Sequence, residues 1–316
     1  MDQSGLSSRA IIGLYFARLE ANPGLAWVNK VSNLFGSDQS SETYAFLGQS
    51  PAMREWLGGR AAKSLRQNSI TLLNKHYEAT QEIAIRDLRR DKTGQITARV
   101  NELADRSLTH WASLLSTLIA NAASTVCYDG QFYFDTDHSE GESGTQDNDI
   151  AVDISALPAA VHGVVTAPSV EEMQQAILKG IAQVLTFKDD QGEPMNEGAH
   201  DFLVLVPVGL YLVAVAAVSA LATAALQQNL NPNLIAGLTV DIQMDARSAW
   251  TDEFAVFRTD SPIKGLIRQS EMDAEFKMKD ENSEFAFDND AIQIGIDAWR
   301  NVTYGYWQRA CFVTMT

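Results

Sequence analysis

Between residues 96 and 123 the chain reads ITARVNELADRSLTHWASLLSTLIANAA. Val100, Leu103, Ser107, Leu108, Trp111, Leu114, Leu115, Leu118 and Ile119 return there at helical spacing, which predicts one amphipathic helix. A helix of about 25 residues runs about 37 Å, roughly twice the usual globular length. It is too long to serve one small core. The residues before it show little of the periodicity that builds a core, and those after it hold most of the strongly apolar segments. The expected plan is a spine with a sprawling arm in front and a compact body behind. Trp111, Leu114, Leu115 and Leu118 are expected on the face packed against a C-terminal sheet.

The chain has 316 residues, 46% of them hydrophobic, enough for two average domains or for one with large excursions. Its formal charge of -16 is unevenly spread. Residues 1–130 hold 14 basic and 12 acidic side chains, a net of +2, whereas residues 131–316 hold 10 and 28, a net of -18. Such a chain resists non-specific binding to nucleic acid, whose phosphates are met by Lys and Arg clusters. Either the near-neutral front and acidic back attract one another between copies, or the surplus acid serves solubility alone. Cys127 and Cys311 are the only cysteines, too few for a disulfide scaffold and in keeping with a reducing compartment, with a single bridge left open. MDQSGLSSRA has no basic segment ahead of an apolar one, and Arg18 and Glu20 break the next apolar run, so no signal peptide is expected.

Residues 202–226, FLVLVPVGLYLVAVAAVSALATAAL, hold no charge and are long enough to span a bilayer. Pro207 divides them into a short β-branched run that resembles a buried strand and an Ala-rich helix over residues 209–226. No Lys or Arg cluster and no interfacial Trp flanks them. A buried strand, turn and helix is therefore expected, not a membrane span.

Along the chain, residues 11–18 suggest two helical turns ended by Asn22-Pro23-Gly24, and residues 32–43 form a Ser-rich connector. Such an arm is odd in a self-contained domain and natural in one that folds against a neighbour. A short helix at 52–57, started by Ser50-Pro51 and stopped by Gly58-Gly59, comes next. Strands follow at 70–77 and 79–86, with Ile83 and Ile85 sharing one face of the second. With few apolar anchors, residues 44–94 read as a protruding two-stranded hairpin that gains its order from a contact elsewhere. Beyond the spine, strands are expected at 128–134, 238–244, 254–257, 265–267, 275–278, 285–287, 291–299 and 310–315. Residues 139–149 make an acidic loop, and turns fall at 189–192 and 288–290. Ser169, with Glu171 and Glu172 in the first turn, caps a helix to about residue 185. The class is α+β, or mixed α/β with two unequal lobes, without internal repeats.

Chemistry-bearing motifs are sparse. Asp135, Asp137 and His138 in FDTDH place two carboxylates and an imidazole within four residues, a set that could hold a divalent ion. Strand side chains alternate, however, and His110, His162 and His200 stand alone; Asp and His at a strand end are more often turn formers or satisfied surface groups. There is no G-x-S-x-G, H-E-x-x-H or Walker loop. Cys127 reads as a small buried hydrophobe, and Gly58-Gly59-Arg60 is too short to cradle a phosphate. Arg86, Arg89, Arg90 and Lys92 alternate with Asp87 and Asp91, which suits local salt bridges better than a nucleic-acid patch.

Four stretches carry a resemblance. LGQSPAMREWLGGR (47–60), NKHYEAT (74–80), CYDGQFYFDTDHSEG (127–141) and YGYWQRA (304–310) resemble the major head subunit of Mu-like phages and prophages, a family similar to the wider class of tailed-phage capsid proteins. The resemblance implies an α+β fold with an N-terminal arm (1–43), an extended E-loop (44–95), a peripheral domain with a long spine helix (96–170 and 270–316) and an axial domain (171–269). It implies a structural subunit that self-assembles through pentamers and hexamers into an icosahedral shell around double-stranded DNA. Scaffold, portal and decoration proteins would be its other partners, and DNA would be contacted non-specifically if at all. The implied location is the virion, assembled in the cytoplasm of a bacterial host. No catalytic residue, cofactor or metal ligand comes with it, and FDTDH would be a structural signature. The alternatives are a metal-dependent enzyme using Asp135, Asp137 and His138, and an oligomeric binding module.

Overall fold

The structure, a computed structural model, describes residues 8–22, 24–47, 67–90, 94–158, 160–227 and 237–316. The front of the chain forms α1 (Ser8–Ala21), α2 (Ala26–Val31), β1 (Ser32–Gly36), β2 (Ser41–Leu47), β3 (Gln67–Leu73), β4 (Lys75–Ala84) and α3 (Ile85–Arg90). The spine is α4 (Gln95–Ala120), followed by β5 (Asp149–Val152), α5 (Val170–Thr186), β6 (Asp201–Pro207) and α6 (Val208–Gln227). The chain ends with β7 (Thr239–Asp245), β8 (Glu253–Arg258), β9 (Leu266–Lys279), α7 (Glu284–Asn289), β10 (Ala291–Tyr304) and β11 (Ala310–Met315).

Helix α4 serves two cores in turn. Its first half buries Ile96, Val100, Leu103 and Ala104 against α1, α3, β4 and β10, in a cluster with Ile11, Tyr15, Leu88, Ile292 and Ile294. Its second half buries Ala112, Leu115 and Ile119 in a larger cluster with Phe202, Val204, Phe254, Phe257 and Trp307. Leu115 is fully buried, and Trp111, Leu114 and Leu118 pack against the larger cluster while half-exposed. The predicted face is therefore the buried one, shared between sheets.

Three sheets surround the spine. A four-stranded sheet runs β1-β9-β10-β4, with β1 parallel to β9 and the other pairs antiparallel. A five-stranded sheet runs β5-β11-β8-β6-β7, and β2 pairs with β3 alone. β6 lies between the parallel β7 and the antiparallel β8. Burial on both faces explains its unbroken apolar run. Pro207 closes it and α6 begins at Val208, as the sequence suggests. Leu210, Ala214 and Ala217 of α6 are buried. Among the described residues no helix is long and apolar enough to cross a membrane. Helix α5 starts as expected at Ser169, whose side chain and that of Glu172 form a reciprocal capping box.

Several expectations are corrected. The strands expected at 70–77 and 79–86 do not pair with each other, because the chain changes sheet at Asn74. There the backbone N–H donates to Ser40 O at 2.9 Å, the side chain donates to Gln39 O at 2.8 Å, and Gln269 Nε2 donates to Asn74 Oδ1 at 2.7 Å. β3 consequently joins β2, and β4 lies along β10 from Lys75↔Arg300 to Ala84↔Ala291. Ile85 is no longer strand: it opens α3. The strand expected at 128–134 is a chain of turns, in which Cys127 N–H donates to Gln131 O at 2.7 Å and Asp129 accepts from Gln131 N–H. Residues 266–267 and 275–278 are parts of one long strand, β9, and Gly265 lies just before it. Residues 285–287 belong to a helix, because Ser283 caps the Ala286 N–H and Asp290, at φ +49°, ends the turn. The helix expected at 52–57 lies outside the described residues.

The front is also less arm-like than its periodicity suggests. Ile11 and Tyr15 of α1 are fully buried, and Arg18 grips Asp105 of α4 through two 2.8 Å bonds, with Asn22 adding a third at 2.7 Å. Trp27, Val28 and Val31 of α2 enter the larger core.

Candidate functional site

The FDTDH stretch builds a tie centred on a buried histidine. His138 is fully buried, its Nδ1 lies 2.6 Å from Asp129 Oδ2, and its ring stacks on Trp307 at 4.0 Å between centroids. Asp135 instead accepts from the Phe132 and Thr136 N–H groups, and Asp137 accepts from Gln131 Nε2 at 2.9 Å. Each of the three has a different partner, so the sequence cluster is not brought together around a common point. Among the described residues no three His, Cys, Asp or Glu side chains meet in a way that could hold a metal.

What the stretch does is fasten a long irregular loop to the C-terminal strands. Asn148, buried, accepts from Asp135 N–H and donates to Tyr133 O, both at 2.9 Å. Glu140 accepts from Tyr128 Oη at 2.5 Å and from Trp307 Nε1 at 3.1 Å. Burial pushes the Glu140 carboxyl up, against the donors that pull it down. YGYWQRA supplies the other half of this tie through Tyr304, Trp307 and Gln308: Tyr304 stacks on Tyr133 and donates to Leu118 O of the spine. The two stretches thus meet in space. Cys127 and Cys311 are both buried free thiols, pushed well up by burial and by nearby carboxylates, and so are held as thiols.

The surfaces are of a different kind. The β2–β3 hairpin reaches the four-stranded sheet through Tyr44 Oη, which donates to Gln269 Oε1 at 2.7 Å, and through buried Leu72. Of the basic cluster, Arg86, Arg89 and Arg90 are exposed on α3, with Arg86 3.4 Å from Asp87. Lys92 and Gly58-Gly59-Arg60 lie outside the described residues. Helix α6 exposes Val208, Leu212 and Val215, and Phe287 of α7 is 90% exposed. Sequence reasoning missed two buried features, the Glu172 staple and a pair of arginines flanking Trp111. The Ser169–Glu172 spacing signals the first, but nothing local signals the second, since its members come from α4, β9 and β10.

The family model of the Mu-like prophage major head subunit gpT matches residues 18–156 and 236–316. Those residues hold the spine, the hairpin, the FDTDH tie and the strands β7–β11. The chain belongs to the Mu-like prophage major head subunit family. Helix α5, β6 and α6 fall outside the matched parts. This head subunit is 31% identical over 112 residues to the Mu-like prophage FluMu major head subunit of Haemophilus influenzae, and 29% identical over 110 residues to the major capsid protein of Escherichia phage Mu. Each alignment covers 35% of this chain and 36% of the relative, so the chain spans about a third of the curated relatives it matches. The fold is shared more widely. The capsid structure of the cyanophage P-SCSP1u superposes with a TM-score of 0.59 at 12% identity, over 93% of this chain and 89% of that one. The subunit thus has the α+β architecture, with mixed sheets, of phage capsid proteins.

Proposed function

We propose that this head subunit is a structural protein that self-assembles through pentamers and hexamers into an icosahedral shell enclosing double-stranded DNA. The observation that carries the reading is the family match over the spine, the hairpin and the long β9–β10 pair, the elements a shell subunit needs to interlock with its neighbours. In this reading residues 1–43 are the N-terminal arm and 44–95 the E-loop. Residues 96–170 with 270–316 are the peripheral domain, and 171–269 the axial domain. Strands β5 and β11 carry the peripheral segments into the sheet built by β6, β7 and β8, which fits two lobes joined along one spine. Scaffold, portal and decoration proteins are the further partners, and the location is the virion, assembled in the host cytoplasm.

Negative-stain microscopy of the purified or co-expressed protein tests this. Shells, or rings of five or six, are expected. Compact particles of one to a few copies at all concentrations and salts would overturn it.

A further inference from the structure

Arg300 and Arg268 stand on the adjacent strands β10 and β9, each over the Trp111 ring, with guanidinium carbons 4.8 and 5.3 Å from its centroid. Both are more than nine-tenths buried. Arg268 is satisfied, donating to Ser32 Oγ at 2.8 Å and to Asn29 Oδ1 at 2.7 Å. Arg300 is not. Among the described residues its one hydrogen bond is a long one, 3.3 Å to Ser107 O, and its Nε has no partner. No carboxylate among them lies within ion-pair distance: Asp273, whose charge reaches it from β9, is exposed and held by Ser270 Oγ at 2.9 Å. A buried guanidinium to which no carboxylate is bonded is expensive.

Beside it is a 220 Å³ cavity lined by Arg300, Tyr77, His110, Ala274, Ile296 and Ala298. Burial, with Arg300 beside it, pushes His110 down to about 4, so its ring is neutral at physiological pH. The other charged groups at the cavity are already engaged. Arg106 pairs with Glu102, Glu78 accepts from Thr80 Oγ1 at 2.7 Å, and Asp297 pairs with Lys277. The rest of the wall is Ser107, Tyr77, the His110 ring, three alanines and Ile296. What fits is a single carboxylate on a short aliphatic stem, with the stem against the alanines and Ile296 and the charge against Arg300.

We propose that this cavity receives an aspartate or glutamate side chain of a neighbouring copy of the chain. The source follows from charge, since residues 131–316 carry 28 acidic against 10 basic side chains. The inference rests on the self-assembly reading for its partner, but not for its chemistry.

Two variants and two measurements test it. Ala274→Leu fills the cavity and leaves Arg300 in place. Arg300→Met removes the charge at similar volume, a change that buried ion sites often tolerate. Sodium propionate, the carboxylate probe, should raise the unfolding midpoint of the unassembled wild-type chain by about 2–4 °C over sodium chloride at equal ionic strength. Both variants should lose that shift, and assembly followed by light scattering should slow about tenfold in each. If Arg300→Met does not fold, Ala274→Leu decides alone. Absence of propionate protection in the wild type overturns the proposal, whatever the assembly rates. Protection with wild-type assembly rates in the variants would make the site one for a free carboxylate and overturn the neighbour. A wild-type chain that never assembles would fail the shell reading separately, with the propionate shift still deciding the cavity.

Discussion

Glu172 is a carboxylate with no exposed surface, held ionised chiefly by backbone donors, with the His162 ring 3.7 Å from its Oε2. Its Oε1 accepts from the N–H groups of Val161, His162 and Gly163 at 2.7–2.8 Å, and its Oε2 from Ser169 N–H at 2.8 Å. Burial pushes its carboxyl up, but the four donors together outweigh burial and hold it down to about 2. A depressed carboxyl contributes stability that is complete above the ordinary glutamate range and is lost as pH falls through the folded value. Glu172→Gln should therefore cost about 2–4 kcal/mol in urea unfolding at neutral pH, from the lost charged bonds and the weakened cap. The gap between variant and wild type should close between roughly pH 5 and pH 2. A gap that does not change over that window would mean that the charge is not what the loop recognises.

At the scale of elements, two contacts fix how helices sit on the sheets. Leu115 of α4 is fully buried in the larger core, and Leu115→Ala should lower stability by about 2–5 kcal/mol. A loss below about 0.5 kcal/mol would mean the helix face is wrongly assigned. Gly180 lets α5 press on β8 and β11, since an added Cβ would lie 2.9 Å from a methyl of Val256 and of Val313. Gly180→Ala should destabilise by about 1–3 kcal/mol, measurable as a shift in denaturation midpoint at unchanged slope. Helices α1, α4, α5 and α6 and the strands β6, β7, β8 and β11 were legible because each carries an apolar pattern that its own sequence displays. The hairpin pairing was not, because local alternation says which residues are strand but not which strand they join. That choice was made at Asn74, whose partners come from Ser40, Gln39 and Gln269. The FDTDH tie was half legible: its two sequence stretches stood out, but the His138–Asp129 and His138–Trp307 contacts that define its purpose join positions that no spacing rule connects. Phe285 to Phe287 read as strand because three residues with two phenylalanines have no period, and the Ser283 cap decided them.

The whole molecule is two cores strung on one helix, and this partition has a thermodynamic consequence. The smaller core draws Ile11 and Tyr15 from α1, Leu88 from α3, Val100 and Leu103 from α4, and Ile292 and Ile294 from β10. Helix α1 is joined to it by those two side chains, by the half-buried Leu14 and Leu19 and by the Arg18–Asp105 pair, which is too exposed to contribute much. Apolar burial must then provide most of what holds α1 in place. The larger core has β8 at its centre, fully buried across Phe254–Phe257, and makes no use of α1. Local opening follows such divisions, with the least-buried unit opening first. Removal of residues 1–22 should therefore strip hydrogen-exchange protection from β4, α3 and the Ile292–Ile296 part of β10, while β6, β8 and β11 keep theirs. In the intact unassembled chain the β2–β3 hairpin should exchange faster than either large sheet, since two strands alone are marginal in water. If instead the truncation lowered protection equally in both cores, α4 would be transmitting cooperativity along its full length and the chain would unfold as one unit. If it lowered protection nowhere, α1 would be packed on the spine without stabilising it, and its order would come from contact with a neighbour.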